Sequence, residues 1–207
     1  MRTSVALEIP VAKTGVTAIE GPNAAGKSVL LAAAAGILRL EQVRVVGLSD
    51  PDSPPILCSQ YPELEIFEEK AGDEVVYAAV SRGVPRALAL ERAASLVERL
   101  GPGSGGLLER HTWGLSGGEK RLLSLVAALI APASLVVLDE PTAGLDSRHR
   151  LALAGLVEEL SRRSTFLLAS QDGAWLDGFA ARRHQLGGPA LPSGANPGKK
   201  RIDKALS

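Results

Sequence analysis

Cysteine occurs once in these 207 residues, at Cys58, so no disulfide can form within the chain. A lone thiol in the apolar run Ile56-Leu57-Cys58 suits a reducing compartment and reads as a buried structural group rather than a nucleophile. Aromatic residues make up only 3% of the chain, which excludes a base-stacking nucleic-acid surface, and none precedes Tyr61. Net charge is missing too: 23 Lys and Arg balance 23 Asp and Glu, so no global field steers the chain to DNA or to anionic lipid. No long apolar core follows the opening Met-Arg-Thr-Ser, which predicts no secretory signal. The apolar run at 29–38 is too short for a bilayer, and the run at 122–138 is interrupted at Pro132. The expectation is a soluble chain, long enough to bury a core of its own.

What is present is concentrated in motifs. Gly21-Pro22-Asn23-Ala24-Ala25-Gly26-Lys27-Ser28 fits the phosphate-loop pattern of two glycines, Lys and Ser. An apolar strand expected at 16–19 precedes it, and an apolar helix expected at 28–38 follows. In that frame the backbone N–H groups of the turn face the phosphates and the helix N-terminus adds partial positive charge. Lys27 can reach the outer phosphates, and the Ser28 hydroxyl can bind Mg²⁺. A chance glycine turn is the competing reading. The strand–loop–helix context favours binding of a nucleoside triphosphate.

Farther along, Leu135-Val136-Val137-Leu138-Asp139-Glu140-Pro141 reads as a buried parallel strand ending in two acids. Ligands of open α/β sheets bind at such strand ends. Between the two lies Leu115-Ser116-Gly117-Gly118-Glu119, with Ser116 placed as the N-cap of a helix expected at 117–130. Its paired glycines allow close approach of an anion, making a second anion site on the chain.

Together these stretches resemble the ATP-binding-cassette (ABC) ATPases over about residues 5–188. The resemblance makes Ser116, Gly117, Gly118 and Glu119 the signature, which closes in trans over the phosphate loop of another subunit. It makes Asp139 the Mg²⁺-holding Walker B carboxylate and Glu140 the catalytic base. Asp146, in Thr142-Ala143-Gly144-Leu145-Asp146, becomes the D-loop residue that relays between the two sites of a dimer. Gln60 becomes the Q-loop glutamine, which touches Mg²⁺ and the attacking water. The segment Gln60-Tyr61-Pro62-Glu63 with Phe67 and Gly72-Asp73-Glu74-Val75 is most similar to the ATPases of energy-coupling-factor importers of vitamins, cobalt or nickel.

Strands are expected at 5–9, 16–19, 43–46, 56–59, 135–138 and 165–169, and helices at 28–38, 73–81, 85–100, 117–130 and 147–163. That alternation predicts an α/β fold with a mostly parallel sheet. The resemblance specifies a P-loop NTPase (RecA-like) core at 1–60 and 132–190, with an antiparallel β edge. It also implies a helical subdomain at 61–131 ending in the signature helix. The Pro-, Gly- and Lys-containing residues 191–207 read as a flexible tail.

Three positions depart from the family pattern. Gln171 stands where the family has a His at the γ-phosphate; its amide can donate a hydrogen bond but cannot take up a proton. No aromatic lies upstream of the phosphate loop to stack adenine. Ala24 replaces a glycine common in the middle of that loop. These predict a slow but intact ATPase, using ATP as substrate and Mg²⁺ as cofactor, that dimerises with a second ABC subunit, identical or not. An integral membrane subunit would hold the dimer at the inner face of the cell membrane. Two alternatives remain open: a degenerate ATP-binding member of a heterodimer, and an ABC ATPase of DNA repair or translation. Six acids, Glu63, Glu65, Glu68, Glu69, Asp73 and Glu74, crowd after the Q-loop. They read either as a solvated face or as a seat for basic helices of the membrane partner.

Overall fold

The computed structural model describes residues 7–11, 13–40, 43–46, 53–101, 104, 106–180, 182–186 and 199–202. Along them run β1 (Leu7–Pro10), β2 (Gly15–Glu20), α1 (Lys27–Ala34), β3 (Val43–Val46) and β4 (Ile56–Cys58). Three helices follow, α2 (Ala71–Ser81), α3 (Arg86–Leu100) and α4 (Gly117–Ile130). The chain then returns to alternation with β5 (Val136–Asp139), α5 (Ser147–Ser161), β6 (Thr165–Ala169), α6 (Gly173–Asp177), β7 (Arg182–Leu186) and β8 (Lys199–Ile202).

One sheet runs β4-β5-β6-β2-β7-β8 and a second pairs β1 with β3. Successive residues of the central strands point to opposite faces. Val136, Leu138, Phe166 and Leu168 enter a core with Leu123 and Val126 of α4 and Leu153 and Val157 of α5. Val137, Leu167 and Ala169 enter a second core with Ile9 and with Leu30 and Leu31 of α1. Both faces are therefore covered, as a parallel sheet requires. The phosphate-loop strand β2 lies between β6 and β7, and β5, with its terminal acid, pairs with β6.

Every ladder among the described residues is parallel, and the single antiparallel contact is the isolated Lys70–His111 bridge. The antiparallel edge expected from the sequence is thus absent there. Although β1 and β2 are close in sequence, they do not form a hairpin. β1 instead pairs with β3, beyond α1, and a crossover through a helix yields parallel neighbours.

Two boundaries moved for local reasons. The helix expected at 28–38 stops at Ala34, because Gly36 turns left-handed (φ +74°) and its N–H bonds the Ala33 carbonyl at 3.0 Å. Pro85 is the N-cap of α3 rather than its first residue. The tail expected at 191–207 contains β8, whose backbone pairs with Arg183–Leu186 of β7. A sheet edge can recruit any segment through its backbone groups, so the polar composition carried no sign of it. The expected strand residues 5 and 6 and most of 191–207 lie outside the described residues.

Candidate functional site

The phosphate loop joins β2 to α1 and is shaped by close backbone approach. A Cβ on Gly21 would stand 2.4 Å from the Leu186 carbonyl oxygen of β7, so only glycine fits there. Gly26 is left-handed (φ +88°). Ala24 shares that conformation (φ +61°) despite its Cβ, which places backbone strain inside the loop. Lys27 is buried, and its ammonium donates to the carbonyls of Gly21 (2.9 Å) and Pro22 (3.2 Å). It also lies 3.8 Å from Glu140 Oε1. The lysine head thus rests on weak carbonyl acceptors that a phosphate could replace.

Two acids close the opposite wall. Asp139 ends β5, and its carboxyl is buried with the Ser28 hydroxyl close by. Burial raises its pKa, against the lowering pull of Ser28, Lys27 and Arg121. Its Oδ1 is buried without a hydrogen-bond partner among the described residues. Glu140 follows in a left-handed conformation (φ +46°), and its Oε2 accepts from the Gln171 N–H at 3.1 Å. The Gln171 side-chain amide donates to Asn23 Oδ1.

One cavity of about 300 Å³ is lined by Asn23, Ala24, Ala25, Gly26, Lys27, Ser28, Gln60, Glu140 and Gln171. Residues drawn from four separate stretches of sequence therefore converge at the C-terminal ends of β2, β4, β5 and β6. Such an arrangement can hold a triphosphate, bind a hydrated cation beside Ser28 and Asp139, and present a carboxylate to water.

Ser116, Gly118, Glu119 and Asp146 are elsewhere. They line a separate cavity of about 290 Å³ with Gly144 and His149. Ser116 caps α4 in a reciprocal box: its Oγ accepts from the Glu119 N–H (3.3 Å), and Glu119 Oε2 accepts from the Ser116 N–H (2.8 Å). That backbone bond is the chief cause holding the Glu119 carboxyl below its usual range, with the Ser116 hydroxyl and Arg110 adding to it. Asp146 caps α5, its carboxylate accepting from the His149 N–H at 2.9 Å.

Arg121 was invisible to the motif reading. It is buried on α4 and donates to the carbonyls of Ser59, Asp139 (2.9 Å) and Glu140 (2.6 Å). One guanidinium thus ties α4 to the segment after β4 and to both acids. An arginine within the helix core positions was the available signal. Cys58 beside it is a structural thiol, its pKa pushed up to about 12 by burial.

Half of the acidic run is engaged by the fold. Glu65 accepts from the Ser59 N–H (3.1 Å) and the Ser124 hydroxyl (3.3 Å). Glu74 accepts from the N–H groups of Phe67 (3.0 Å) and Glu68 (2.8 Å). Asp73 pairs with Arg86, and Glu69 lies 3.3 Å from His111 Nδ1. The Glu63 side chain lies outside those described. Apolar side chains occupy the neighbouring surface instead: Tyr61, Leu64 and Phe67 are 54%, 81% and 64% exposed. Backbone N–H groups and Arg86 thus hold the carboxylates of Glu65, Glu74 and Asp73, while Glu69 stays exposed.

Similarity to known proteins agrees with this geometry. The chain is 39% identical over 103 residues to an energy-coupling factor transporter ATP-binding protein of Latilactobacillus sakei, covering 50% of this chain and 35% of the relative. It is 31% identical over 177 residues to the corresponding protein of Methanothermobacter thermautotrophicus, covering 80% of this chain and 56% of the relative. The chain thus spans about a third to a half of the length of these two relatives. Among solved structures it superposes on cbiO1 of Clostridium perfringens, described as part of the ABC transporter complex cbiONQ. The TM-score is 0.64 at 25% identity, over 83% of this chain and 73% of that one. No helix among the described residues is long and apolar enough to cross a membrane. A family model described as ABC transporter matches residues 6–143, and the chain belongs to the ABC transporter ATPases, resembling those of energy-coupling factor transporters.

Proposed function

We propose that this chain hydrolyses ATP to power a membrane transporter of the energy-coupling-factor type, importing a vitamin or a metal ion. One observation carries the proposal: Lys27, Ser28, Gln60, Glu140 and Gln171 line a single cavity, while Ser116 and Asp146 line another. One nucleotide cannot use both, so two chains would each complete the other's site.

In that reading Lys27 leaves the Gly21 and Pro22 carbonyls for the outer phosphates, a stronger charge-assisted partner. The unpartnered, buried Asp139 Oδ1 beside the Ser28 hydroxyl fits a hydrated Mg²⁺. Bound there with Gln60, Mg²⁺ would neutralise charge on the β- and γ-phosphates. Glu140, held by the Gln171 N–H, orients the attacking water and accepts its proton. Gln171 can donate one amide hydrogen bond to the γ-phosphate. Ser116 and the N-terminus of α4 would cover that phosphate from the second chain, and Asp146 would link the two sites.

The membrane partner would dock on the apolar surface at Tyr61, Leu64 and Phe67, next to Gln60. A second reading, a subunit that binds ATP while its partner hydrolyses it, draws on Gln171 alone and is opposed by Glu140. Dimerisation tests the proposal. Glu140→Gln should slow hydrolysis and trap a dimer at saturating Mg-ATP, read by light scattering. A monomer under those conditions would sink the homodimer and call for a co-expressed paralogue.

A further inference from the structure

None of residues 1–60 is Phe, Tyr or Trp, so the strand and loop leading to Lys27 offer adenine no aromatic ring of their own. The chain contains two tryptophans, and their fates differ sharply. Trp175 is buried in the core and donates its indole N–H to the Arg150 carbonyl at 2.9 Å. Trp113 is 76% exposed, three residues before the signature Ser116. Leaving an indole in water forfeits the burial that usually justifies it.

Its backbone, by contrast, is firmly held. Thr112 Oγ1 donates to the Glu68 carbonyl at 2.6 Å, and the Thr112 N–H donates to the Glu69 carbonyl at 2.9 Å. Arg110 donates to the Gly114 carbonyl at 3.0 Å and pairs with Glu119. The His111 ring stacks on the indole, with centroids 5.3 Å apart and planes 28° from parallel. A held loop thus presents a stacked ring pair to solvent three residues ahead of Ser116 in the chain. Three residues of chain reach about 10 Å at most, so the Trp113 backbone lies within that distance of the Ser116 backbone.

We infer that Trp113, supported by His111, stacks the adenine of the nucleotide held by the phosphate loop of a second copy of this chain. The inference rests on the two-chain reading above and assigns a site for the base. Stacking on an aromatic face accepts any base, so the site would select for the presence of a base rather than its identity.

The test uses the full-length Glu140→Gln protein with Mg²⁺. Light scattering gives the ATP concentration for half-maximal dimerisation. Trp113→Ala should raise it by about tenfold or more, the loss expected for one stacked base, whereas Trp113→Phe should restore most of it. Irradiation with 8-azido-ATP, whose reactive group is on the base, should label the tryptic peptide 111–120. A dimer that forms at the same ATP concentration in Trp113→Ala, or labels only outside 111–120, overturns the adenine assignment and leaves the dimer standing. No dimer at any ATP concentration overturns both together.

Discussion

The Gln171 side-chain amide donates to Asn23 Oδ1 across the mouth of the phosphate loop, while the Gln171 backbone N–H holds Glu140 Oε2 at 3.1 Å. The residue therefore serves the site twice, and only one of those services depends on its side chain. Gln171→Ala should lower turnover by removing a donor to the γ-phosphate, yet leave Glu140 anchored. Gln171→His should raise turnover, since an imidazole can both donate and take up charge. A single well-placed donor lost from such a site costs on the order of 10² in rate, and a partly retained contact less. Steady-state phosphate release by the three proteins, with any required partner, decides it: equal rates leave Gln171 structural.

Asp139 illustrates a trade between stability and function. Burial raises its folded-state pKa, so the folded protein holds that proton more tightly than the unfolded chain does. Stability from this group is then greatest at low pH. It falls as pH climbs from the ordinary carboxylate range through the raised value, leaving a penalty at neutral pH. Asp139→Asn removes that buried charge and should raise the melting temperature of the ligand-free protein at pH 7 but not at pH 3 to 4. The same substitution should abolish Mg²⁺-dependent turnover, because it removes the negative charge that would hold the cation beside the phosphates. An unchanged or lowered melting temperature at pH 7 would mean that Lys27 and Arg121 already offset the burial.

Much of this site could be read from the chain because phosphate chemistry is local. The loop 21–28 needs particular residue types at fixed spacing, and so does the box linking Ser116 to Glu119. What stayed hidden depends on partners distant in sequence. β7 reads as the polar string Arg-Arg-His-Gln-Leu, yet its Leu186 carbonyl is what makes Gly21 obligatory. Arg121 carries no motif of its own, and only the folded chain brings it to the carbonyls of Ser59, Asp139 and Glu140. The acids after Gln60 read as a patch because their backbone partners carry no sequence signature.

Ala24 stores strain that a single change can release. At φ +61° its Cβ crowds the backbone, costing roughly 1 to 2 kcal/mol that glycine would not incur. Glycine's greater unfolded-state entropy returns roughly 0.5 to 1 kcal/mol of that. Ala24→Gly should therefore stabilise the ligand-free protein by about 1 kcal/mol, a rise of about 2 to 4 °C in melting temperature. Calorimetry checks it, and a fall in melting temperature would mean that the loop does not hold this conformation in solution.

The surface beside Gln60 separates two accounts of partner docking. Leu64 and Phe67 are 81% and 64% exposed, and the Phe67 ring packs edge-on against Tyr77 with centroids 4.8 Å apart. Clustered apolar exposure of this kind marks an interaction site, whereas the Glu65 carboxylate is committed to Ser59 and Ser124. Leu64→Ser combined with Phe67→Ser should weaken co-purification with the membrane subunit in detergent, without altering ATP binding or the melting temperature. Glu65→Lys should instead lower the melting temperature, by roughly 1 to 3 kcal/mol of lost stability, since it leaves a backbone N–H unsatisfied and buries a mismatched charge. Should the double serine variant assemble normally while Glu65→Lys, still folded, does not, the charged segment would be the docking surface after all.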